Sequence, residues 1–221
     1  MVQTVAVSGA SGRTGFRVVE ELLETGISPR MLIRQSSVLQ DQRPDLEQIR
    51  LDLFDSAALD AALQGVDALV IATGARPSVD LTGPLRVDAW GVQRQVEACC
   101  RVGVQRVILV SSLCAGRLWH PLNLFGLILL WKRVGERALV ASDLDWTVIR
   151  PGGLSERERD LDREAICWTG ADQQTSDSIP RRLVARCCVE ALNTPASIGH
   201  VLEITSRPGA PSLSLAEFLD K

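Results

Sequence analysis

The 221-residue sequence contains no tyrosine, only two histidines and two methionines, and just 4% aromatic residues. The lack of tyrosine excludes any mechanism in which a phenol serves as acid or base. No pair of cysteines has the CxxC spacing, so the sequence offers no typical structural zinc site. A long apolar run is also missing. The longest, Leu122 to Trp131, contains Asn123 and Gly126, and a membrane-spanning helix needs about 20 apolar residues.

Charges of the two signs are nearly balanced. The chain has 24 lysines and arginines against 27 aspartates and glutamates, for a formal net charge of −3. Such a protein has no broad attraction for nucleic acid or anionic lipid. We expect a small-molecule substrate or none, and a protein partner stays open. Hydrophobic residues make up 46% of the sequence, enough to bury a core. The length predicts one domain, residues 1–221.

The six cysteines include two adjacent pairs, Cys99–Cys100 and Cys187–Cys188, besides Cys114 and Cys167. Each pair falls on an apolar stripe at helical spacing, where free cysteines are commonly buried. We therefore predict buried, reduced thiols, although adjacent cysteines could also form a redox-active pair. Reduced thiols, and an apolar strand that begins almost at the first residue, predict a cytoplasmic protein without a secretory signal.

Short apolar segments alternate with amphipathic ones, which is the pattern of a parallel sheet with helices on both faces. Strands are predicted at residues 4–8, 31–33, 49–51, 67–71, 106–110, 146–149 and 201–205. Helices are predicted at residues 16–26, 55–63, 88–102, 124–141, 182–192 and 215–219. The fold class is therefore α/β, a doubly wound parallel sheet, with about residues 151–221 forming a small C-terminal lobe on the substrate side. Residues 156–164 carry eight charges in nine positions, which predicts a solvated loop or a lid over the substrate.

The turn after the first strand contains three glycines spaced three residues apart. In a phosphate-binding turn, one glycine allows the sharp turn, one lets the backbone approach a pyrophosphate, and one lets the helix pack against the sheet. The helix that begins here directs free N–H groups and the positive end of its dipole at the phosphates. Because the glycine turn lies between a predicted strand and a predicted helix, it predicts a dinucleotide site. The alternative is a tight turn that binds nothing. The predicted contacts are Gly9, Ser11, Gly12, Arg13, Thr14 and Gly15.

The residue at the end of the second strand indicates which dinucleotide binds. NAD-binding proteins usually carry Asp or Glu about 20 residues after the glycines, for the ribose hydroxyls. Here Arg34 follows Gly15 by 19 residues, and the next acid is Asp41. A guanidinium suits the 2′-phosphate of NADP, with Arg13 as a second contact. We predict NADP rather than NAD; an exposed surface role for Arg34 is the alternative.

Loops at the carboxyl ends of the other strands should complete the crevice, because ligands of doubly wound sheets bind at that edge. Asp52 and Leu53 are predicted to meet the adenine, and residues 72–74 to pass the nicotinamide ribose. The residues of these loops are Asp52, Leu53, Ala72, Thr73, Gly74, Ser111, Ser112, Pro151, Gly152 and Gly153.

Several segments resemble the atypical short-chain dehydrogenases/reductases. They are GASGRTG at residues 9–15, VILVSS at 107–112, WKRVGE at 131–136 and WTVIRPGGL at 146–154. An HPLN segment at 120–123 is similar to that of the NmrA-like NAD(P)-binding proteins of chloroplasts and cyanobacteria. Flavin reductase/biliverdin-IXβ reductase is a more distant relative. The resemblance covers essentially the whole chain and implies a Rossmann fold, an NAD(P) site and an oxidoreductase activity.

The resemblance also implies catalytic roles, and here the sequence departs from the family. Ordinary members have a Tyr four residues before a Lys as proton donor, and a Ser after the fifth strand that orients the substrate. Lys132 and Ser112 match the Lys and the Ser, but Ile128 stands in place of the Tyr. Lys132 then keeps only its contact to the nicotinamide ribose. Leu183 replaces a family Asp in an R-x-D-V-A motif, which puts any function of that acid in doubt.

Two hypotheses on function remain. The first is an NADP(H)-dependent reductase that transfers hydride to a conjugated acceptor, such as a flavin, a quinone or a tetrapyrrole. Such acceptors tolerate a weak proton donor, whereas simple ketones need the general acid catalysis that typically contributes about 10²–10⁴-fold. The second is a non-catalytic NADP(H)-binding redox sensor or assembly factor. His120 is a weaker candidate acid, and Leu122 to Trp131 could contact a membrane surface.

Overall fold

The computed structural model describes residues 2–38, 44–75, 81–117, 119–124, 126–209 and 213–221; Asp41 lies outside them. The strands are β1 (Thr4–Ser8), β2 (Ser28–Ile33), β3 (Glu47–Arg50), β4 (Ala68–Ile71), β5 (Arg106–Val110), β6 (Asp145–Pro151), β7 (Gly153–Ser155), β8 (Glu164–Thr169), β9 (Ser178–Pro180) and β10 (His200–Pro208). The helices are α1 (Arg13–Glu24), α2 (Ser56–Leu63), α3 (Gly91–Val102), α4 (Ile128–Val140), α5 (Arg181–Leu192) and α6 (Leu215–Leu219). A π-helical turn, Leu85–Trp90, leads into α3, and a 3₁₀ turn, Pro121–Leu124, precedes α4.

Eight strands form one sheet in the order β3-β2-β1-β4-β5-β6-β10-β8. They pair in parallel, except that β8 is antiparallel to β10. The chain runs outward from β1 through β2 and β3, then returns to place β4 on the other side of β1. This reversal leaves a crevice at the carboxyl ends of β1 and β4, where doubly wound folds bind their ligands. The predicted α/β doubly wound fold is confirmed.

Side chains alternate along the central strands and build one core on each face of the sheet. Val5 and Val7 of β1 pack in the core that contains α1, α5 and α6. Ala6, between them, packs in the core that contains α2, α3 and α4. Because both faces are covered, the inner strands are continuous apolar runs. That is why they could be located from the sequence.

Local side-chain chemistry fixes two of the helix starts. The Asp55 carboxylate accepts the N–H of Ala58 at 3.0 Å and caps α2, as predicted. Ser214 and Glu217 form a reciprocal capping box at the start of α6. By contrast, α1 begins after Gly12, which has no side chain to cap it.

The start of α4 differs from the prediction by four residues. The helix begins at Ile128 rather than at Leu124, because Leu127 has a left-handed backbone with φ +57°. Asn123 stabilises the turn before it: its Oδ1 accepts the N–H of Leu129 at 2.9 Å, and its Nδ2 donates to the Arg117 carbonyl at 2.7 Å. The HPLN segment is therefore a hydrogen-bonded turn that sets where α4 begins.

The prediction of buried thiols is confirmed for four of the six free cysteines. Cys167 is only half-buried, and Cys100 is exposed, because it lies beside the apolar stripe of α3 rather than on it. Burial raises the pKa of Cys99 and of Cys188 to about 12, and raises that of Cys187 as well. Among the helices that the structure describes, none is long and apolar enough to cross a membrane.

Candidate functional site

The glycine turn lies between the carboxyl end of β1 and the start of α1, at the edge of the crevice. Gly9 has φ +79°, and a Cβ there would lie 2.9 Å from the backbone of Ala72 and Thr73. A Cβ on Gly15 would lie 2.3 Å from the Gly9 carbonyl oxygen. A Cβ on Gly12 would meet that oxygen alone, at 3.1 Å, among the described residues. The first and third glycines therefore pack the turn, while the second leaves open space beside the backbone.

The N-terminus of α1 presents unpaired donors next to this space. The N–H groups of Arg13, Thr14 and Gly15 have no acceptor within the part of the chain that the structure describes. Ser11, just before the helix, is half-buried. Free N–H groups and the helix dipole together attract anions. The turn and the first residues of α1 thus fit the phosphates of a dinucleotide, and the individual contacts stay predictions.

Arg34 extends into solvent from the end of β2. Its side chain is exposed and makes no hydrogen bond or ion pair with another described residue. The backbone of the same loop is held by Arg50, whose Nη1 donates to the carbonyls of Gln35 and Ser37 at 3.1 and 2.9 Å. The Arg34 guanidinium is therefore free to meet a 2′-phosphate.

The loop after β3 has one side chain in solvent and one against the core. Asp52 is exposed, and its carboxylate accepts the N–H of Phe54 at 3.0 Å. Leu53 packs against α3 at Gly91. The Arg86 guanidinium carbon lies over the half-exposed Phe54 ring, 5.7 Å from its centre. This cation–π pair adjoins the residues predicted to meet the adenine, and the sequence analysis missed it.

Lys132 is held by a buried carboxylate. Its Nζ lies 2.8 Å from Asp88 Oδ1, and the two side chains are 14% and 2% exposed. Asp88 Oδ2 also accepts the N–H of Ala75 at 3.2 Å, so the same carboxylate joins the π-helical turn to the loop after β4. Both ion-pair atoms lie 3.8 Å from the point where a Cβ on Gly74 would be. The fold thus brings Lys132 together with the 72–74 loop.

A cavity of about 10 Å³, room for one water molecule, lies beside this ion pair. It is lined by Thr73, Asp88, Val92, Leu109, Val110, Ser111 and Lys132. Thr73 Oγ1 is buried and has no hydrogen-bond partner among the described residues. A buried hydroxyl without a partner costs free energy, so a water molecule or a ligand hydroxyl is expected to satisfy it.

The two serines after β5 have different surroundings. Ser111 is buried and donates its hydroxyl to Glu136 Oε1 at 2.6 Å. The carbonyl of Ser112 accepts the N–H of Ala115 at 3.3 Å, but its half-buried hydroxyl has no partner among the described residues. Ser111 therefore stabilises the fold, whereas the Ser112 hydroxyl is available to a substrate.

Glu136 connects the WKRVGE and WTVIRPGGL motifs. The fully buried Arg150 donates Nε to its Oε1 at 2.9 Å and Nη2 to its Oε2 at 2.8 Å. Arg133 donates to Oε2 at 3.0 Å. Burial alone would raise the pKa of Glu136, but the hydrogen bonds and charge of Arg150, with help from Ser111 and Arg133, hold it below its usual value.

Arg150 also reaches the C-terminal lobe. Its Nη1 lies 2.9 Å from Asp172 Oδ1 and 3.4 Å from Glu203 Oε1. Glu203 is fully buried and accepts the backbone N–H groups of Asp172, Gln173 and Gln174 at 2.9, 3.0 and 2.7 Å. This carboxylate therefore anchors the loop between β8 and β9 to β10.

The position of the family acid is apolar in this protein. Ile128 is 9% exposed and belongs to a cluster with Leu113, Cys114 and Leu129. His120 Nδ1 accepts the N–H of Leu122 at 3.3 Å, so that ring nitrogen is used to shape its own turn. Leu183 is buried in the core around α5, which accounts for an apolar residue where the family carries Asp.

The residues after β6 join the main sheet to the small one. Pro151 and Gly152 are buried, and Gly153 is exposed. A Cβ on Gly152 would lie 2.5 Å from the Asp177 carbonyl oxygen, which also accepts the N–H of Gly153 at 2.9 Å. This close approach leads the chain into β7, which pairs with β9.

The predicted solvated loop is confirmed: within residues 156–164 only Leu161 and Glu164 are buried, and residues 156–160 lie outside any helix or strand. A role as a lid over the substrate stays a prediction. One side of the segment lies against α1 and α5, because arginines of those helices pair with its carboxylates. Glu156 and Glu158 pair with Arg13, Arg17, Arg181 and Arg182. The segment then forms a 3₁₀ turn, Leu161–Arg163, and enters β8 at Glu164.

The sequence analysis missed the buried acids. A signal was present for Asp88, which stands four residues before Val92 and eight before Val96, on the stripe that buries α3. An acid on a buried stripe needs a partner, and Lys132 is that partner. No comparable signal marks Glu203, because its partners lie in a loop about 30 residues earlier.

The model of the NAD(P)H-binding family matches residues 9–195. Among similar curated proteins, an uncharacterized chloroplastic protein of Arabidopsis thaliana is 36% identical, over 95% of this chain and 79% of its own. Protein TIC 62 of the same plant is 31% identical, over 98% of this chain and 38% of its own. Sanguinarine reductase of Eschscholzia californica is 28% identical, over 93% of this chain and 89% of its own.

Solved structures share the fold over nearly the whole chain. A Bacillus halodurans protein assigned to the NAD-dependent epimerases/dehydratases has a TM-score of 0.83 at 25% identity, covering 99% of both chains. A short-chain dehydrogenase/reductase of Veillonella parvula, solved with NADP, has a TM-score of 0.74 at 16% identity, covering 98% of this chain and 99% of its own. Anaerobilin reductase ChuY of Escherichia coli has a TM-score of 0.75 at 21% identity, covering 95% of this chain and 100% of its own.

The family model covers most of the chain, and the Arabidopsis relative matches it nearly from end to end. The protein therefore belongs to the NAD(P)H-binding family, among the atypical short-chain dehydrogenases/reductases of the NmrA-like type.

Proposed function

We propose that the protein is an NADP(H)-dependent reductase that transfers hydride to a conjugated acceptor without a tyrosine acid. The observation that carries this proposal is the Lys132–Asp88 ion pair beside Gly74, with buried Ile128 four residues before the lysine. The family lysine is kept and oriented. The position of the family acid, in contrast, offers no proton.

Each residue of the site has a part in this reaction. NADPH, when bound, supplies the hydride. The N–H groups at the start of α1 and the Arg34 guanidinium hold phosphates, Lys132 holds the nicotinamide ribose, and the Ser112 hydroxyl orients the acceptor. Reducing an acceptor A to AH2 takes one hydride and one proton. In a conjugated acceptor the charge delocalises after hydride arrival, so solvent can supply that proton.

The names of similar proteins support a reductase. Sanguinarine reductase resembles this chain over most of both sequences, and anaerobilin reductase shares its fold. The Veillonella protein of the same fold was solved with NADP, which supports the choice of cofactor. Arg34, in place of an acid at the end of β2, favours NADP for this chain in particular.

The cofactor choice is tested by replacing Arg34. Arg34→Asp should weaken NADP⁺ binding roughly 10- to 100-fold, the ratio that corresponds to a charge-assisted hydrogen bond of about 1.5–3 kcal/mol. Arg34→Asp should change the affinity for NAD⁺ much less. Arg137→Asp, the same charge reversal on an exposed residue of α4, is the control. Binding would be followed by tryptophan fluorescence, and equal affinity of the wild type for NAD⁺ and NADP⁺ would contradict the prediction.

Turnover separates the two functions. NADPH oxidation in the presence of flavin, quinone and biliverdin acceptors, lost in Arg34→Asp and reduced in Ser112→Ala, would support the reductase. The apolar surroundings of Ile128 also favour the alternative, a non-catalytic NADP(H)-binding redox sensor or assembly factor. Tight NADPH binding without turnover on any of these acceptors would establish that alternative.

We further propose a cytoplasmic location and a small-molecule substrate, with a protein partner for the sensor function. The six free cysteines support a reducing compartment. Curated relatives named as chloroplastic align with most of this chain at 36% and 31% identity, so plastid-type compartments are the competing location. Fractionation of the source cells would distinguish the two.

A further inference from the structure

One carboxylate beside the glycine turn is shared by three arginines. Glu156 Oε1 lies 2.8 Å from Arg13 Nη1 and 2.6 Å from Arg181 Nε, and Glu156 Oε2 lies 3.1 Å from Arg17 Nη2. Arg181 Nη1 also donates to Thr14 Oγ1, at 3.3 Å, within the glycine turn itself. The Arg181 hydrogen bond lowers the pKa of Glu156, so this side chain is an anion at neutral pH.

We propose that Glu156 occupies an anion site that a pyrophosphate takes over, so that dinucleotide binding displaces the Glu156 side chain from its arginines while Glu158 keeps its own pairs. This inference rests on the proposed function. Among the residues that the structure describes, none accepts the N–H groups of Arg13 and Thr14 at the start of α1, so guanidinium groups and helix N-terminus converge on one place. A pyrophosphate diester carries two negative charges and Glu156 only one, so the diester matches three arginines better.

The ion pairs of Glu156 are of the kind that an incoming anion can replace. The Glu156 side chain is 44% exposed, against 56% for Arg13, 15% for Arg17 and 11% for Arg181. The carboxylate is therefore within reach of solvent, and its pair with Arg13 is weak and screened by salt. Arg182 pairs with Glu20 and Glu158, so the segment keeps a second attachment to α5 when Glu156 is released.

The small sheet connects this site to the C-terminal lobe. Glu156 directly follows β7, and Arg181 directly follows β9. The two strands pair with Ser155 opposite Pro180, which places both charged residues at the same end of the sheet. At the other end of the small sheet, the Asp177 carbonyl packs against Gly152, so the same sheet also contacts the residues that follow β6.

Glu156→Gln tests the proposal, with Glu158→Gln as the matched control in the same segment. Glu158 pairs with Arg17 and Arg182 but not with Arg13 or Arg181. Binding of NADP⁺, NAD⁺ and inorganic pyrophosphate would be measured by calorimetry. We expect Glu156→Gln to bind all three about 3- to 10-fold more tightly than the wild type, and Glu158→Gln to change each affinity less than about twofold.

Hydrogen exchange gives a second readout. In the wild type, NADP⁺ should speed amide exchange at Glu156, and Glu156→Gln should show the faster exchange already without ligand. Unchanged or weaker binding by Glu156→Gln would overturn the proposal, and tighter binding of NADP⁺ alone would overturn the assignment to pyrophosphate. If pyrophosphate binds more tightly to the variant while neither protein binds a dinucleotide, the anion site stands and the proposed function falls.

Discussion

Single buried acids organise much of this protein. Asp88, Glu136 and Glu203 are each at most 2% exposed, and each carboxylate is matched by cations or N–H groups. Glu21 is different. Its Oε2 is buried without a hydrogen-bond partner among the described residues, and its Oε1 lies 3.7 Å from Arg186 Nε. The fold therefore tolerates a carboxylate here that it does not fully satisfy.

Replacing Glu21 should stabilise the protein in a pH-dependent way. Burial raises the pKa of Glu21, against the lowering effect of Arg186. The folded state then binds the proton more tightly than the unfolded state, so ionisation costs stability as the pH rises above the unfolded value of about 4.3. Glu21→Gln should raise Tm at pH 7 by a few degrees, at about 2–4 °C per kcal/mol for this length.

The gain in Tm of Glu21→Gln should vanish below about pH 4, where the Glu21 carboxyl of the unfolded wild type is protonated as well. Thermal unfolding followed by circular dichroism across this pH range would measure the gain, with Asp143→Asn, an exposed acid that follows α4, as control. The same gain at every pH would show that the charge is not the cause.

At the scale of helices and strands, sequence patterns located the elements whose bounds are set by residues near to them in the chain. β1, β5 and α6 have the predicted bounds, and Asp55 caps α2 as expected. β7, β8 and β9 were missed, because they are defined by partners distant in the sequence. β8, for example, pairs with β10 about 35 residues later. Asp88 and Glu136 were missed for a related reason: their partners come from other elements.

The helix α4 depends on one glycine for its place in the fold. A Cβ on Gly135 would lie 2.1 Å from the Asp88 carbonyl oxygen and 3.2 Å from Val92 Cβ. Gly135→Ala should therefore lower the free energy of unfolding by about 1–3 kcal/mol or more. Gly153→Ala is the control, because a Cβ there would have no contact closer than 3.6 Å. Urea unfolding would compare them, and an equal loss in both would contradict the packing argument.

At the scale of the whole molecule, Arg150 connects the parts of the chain. It lies on β6, next to Glu203 of β10, and joins α4 through Glu136 and the loop after β8 through Asp172. The strand, glycine turn and helix at the start of the chain were readable from the sequence, whereas this network was not, because each of its contacts is long-range. The assignment of residues 1–221 to a single domain stays a prediction.

Arg150→Met should destabilise the protein strongly. It leaves Glu136 and Glu203 buried without their shared cation, and breaking a buried ion pair typically costs about 3–5 kcal/mol. The free energy of unfolding in urea would measure the loss. Arg101→Met removes the exposed pair with Asp60 and should lower the free energy of unfolding far less than Arg150→Met does. If Arg150→Met lowered the free energy of unfolding no more than Arg101→Met, solvent would have to reach the buried network.

The π-helical turn at Leu85–Trp90 makes the Lys132 site depend on chain length as well as on residue type. A π-helical turn accommodates one residue more than the α-helical turn it replaces. Loss of a single residue within it would restore the α-helix and rotate what precedes the deletion by about 100°. Depending on the side of the deletion, Asp88 or the chain leading to it would be turned, and the ion pair would be lost although Asp88 and Lys132 are both still present. A deletion at this turn is thus equivalent to removing the acid itself.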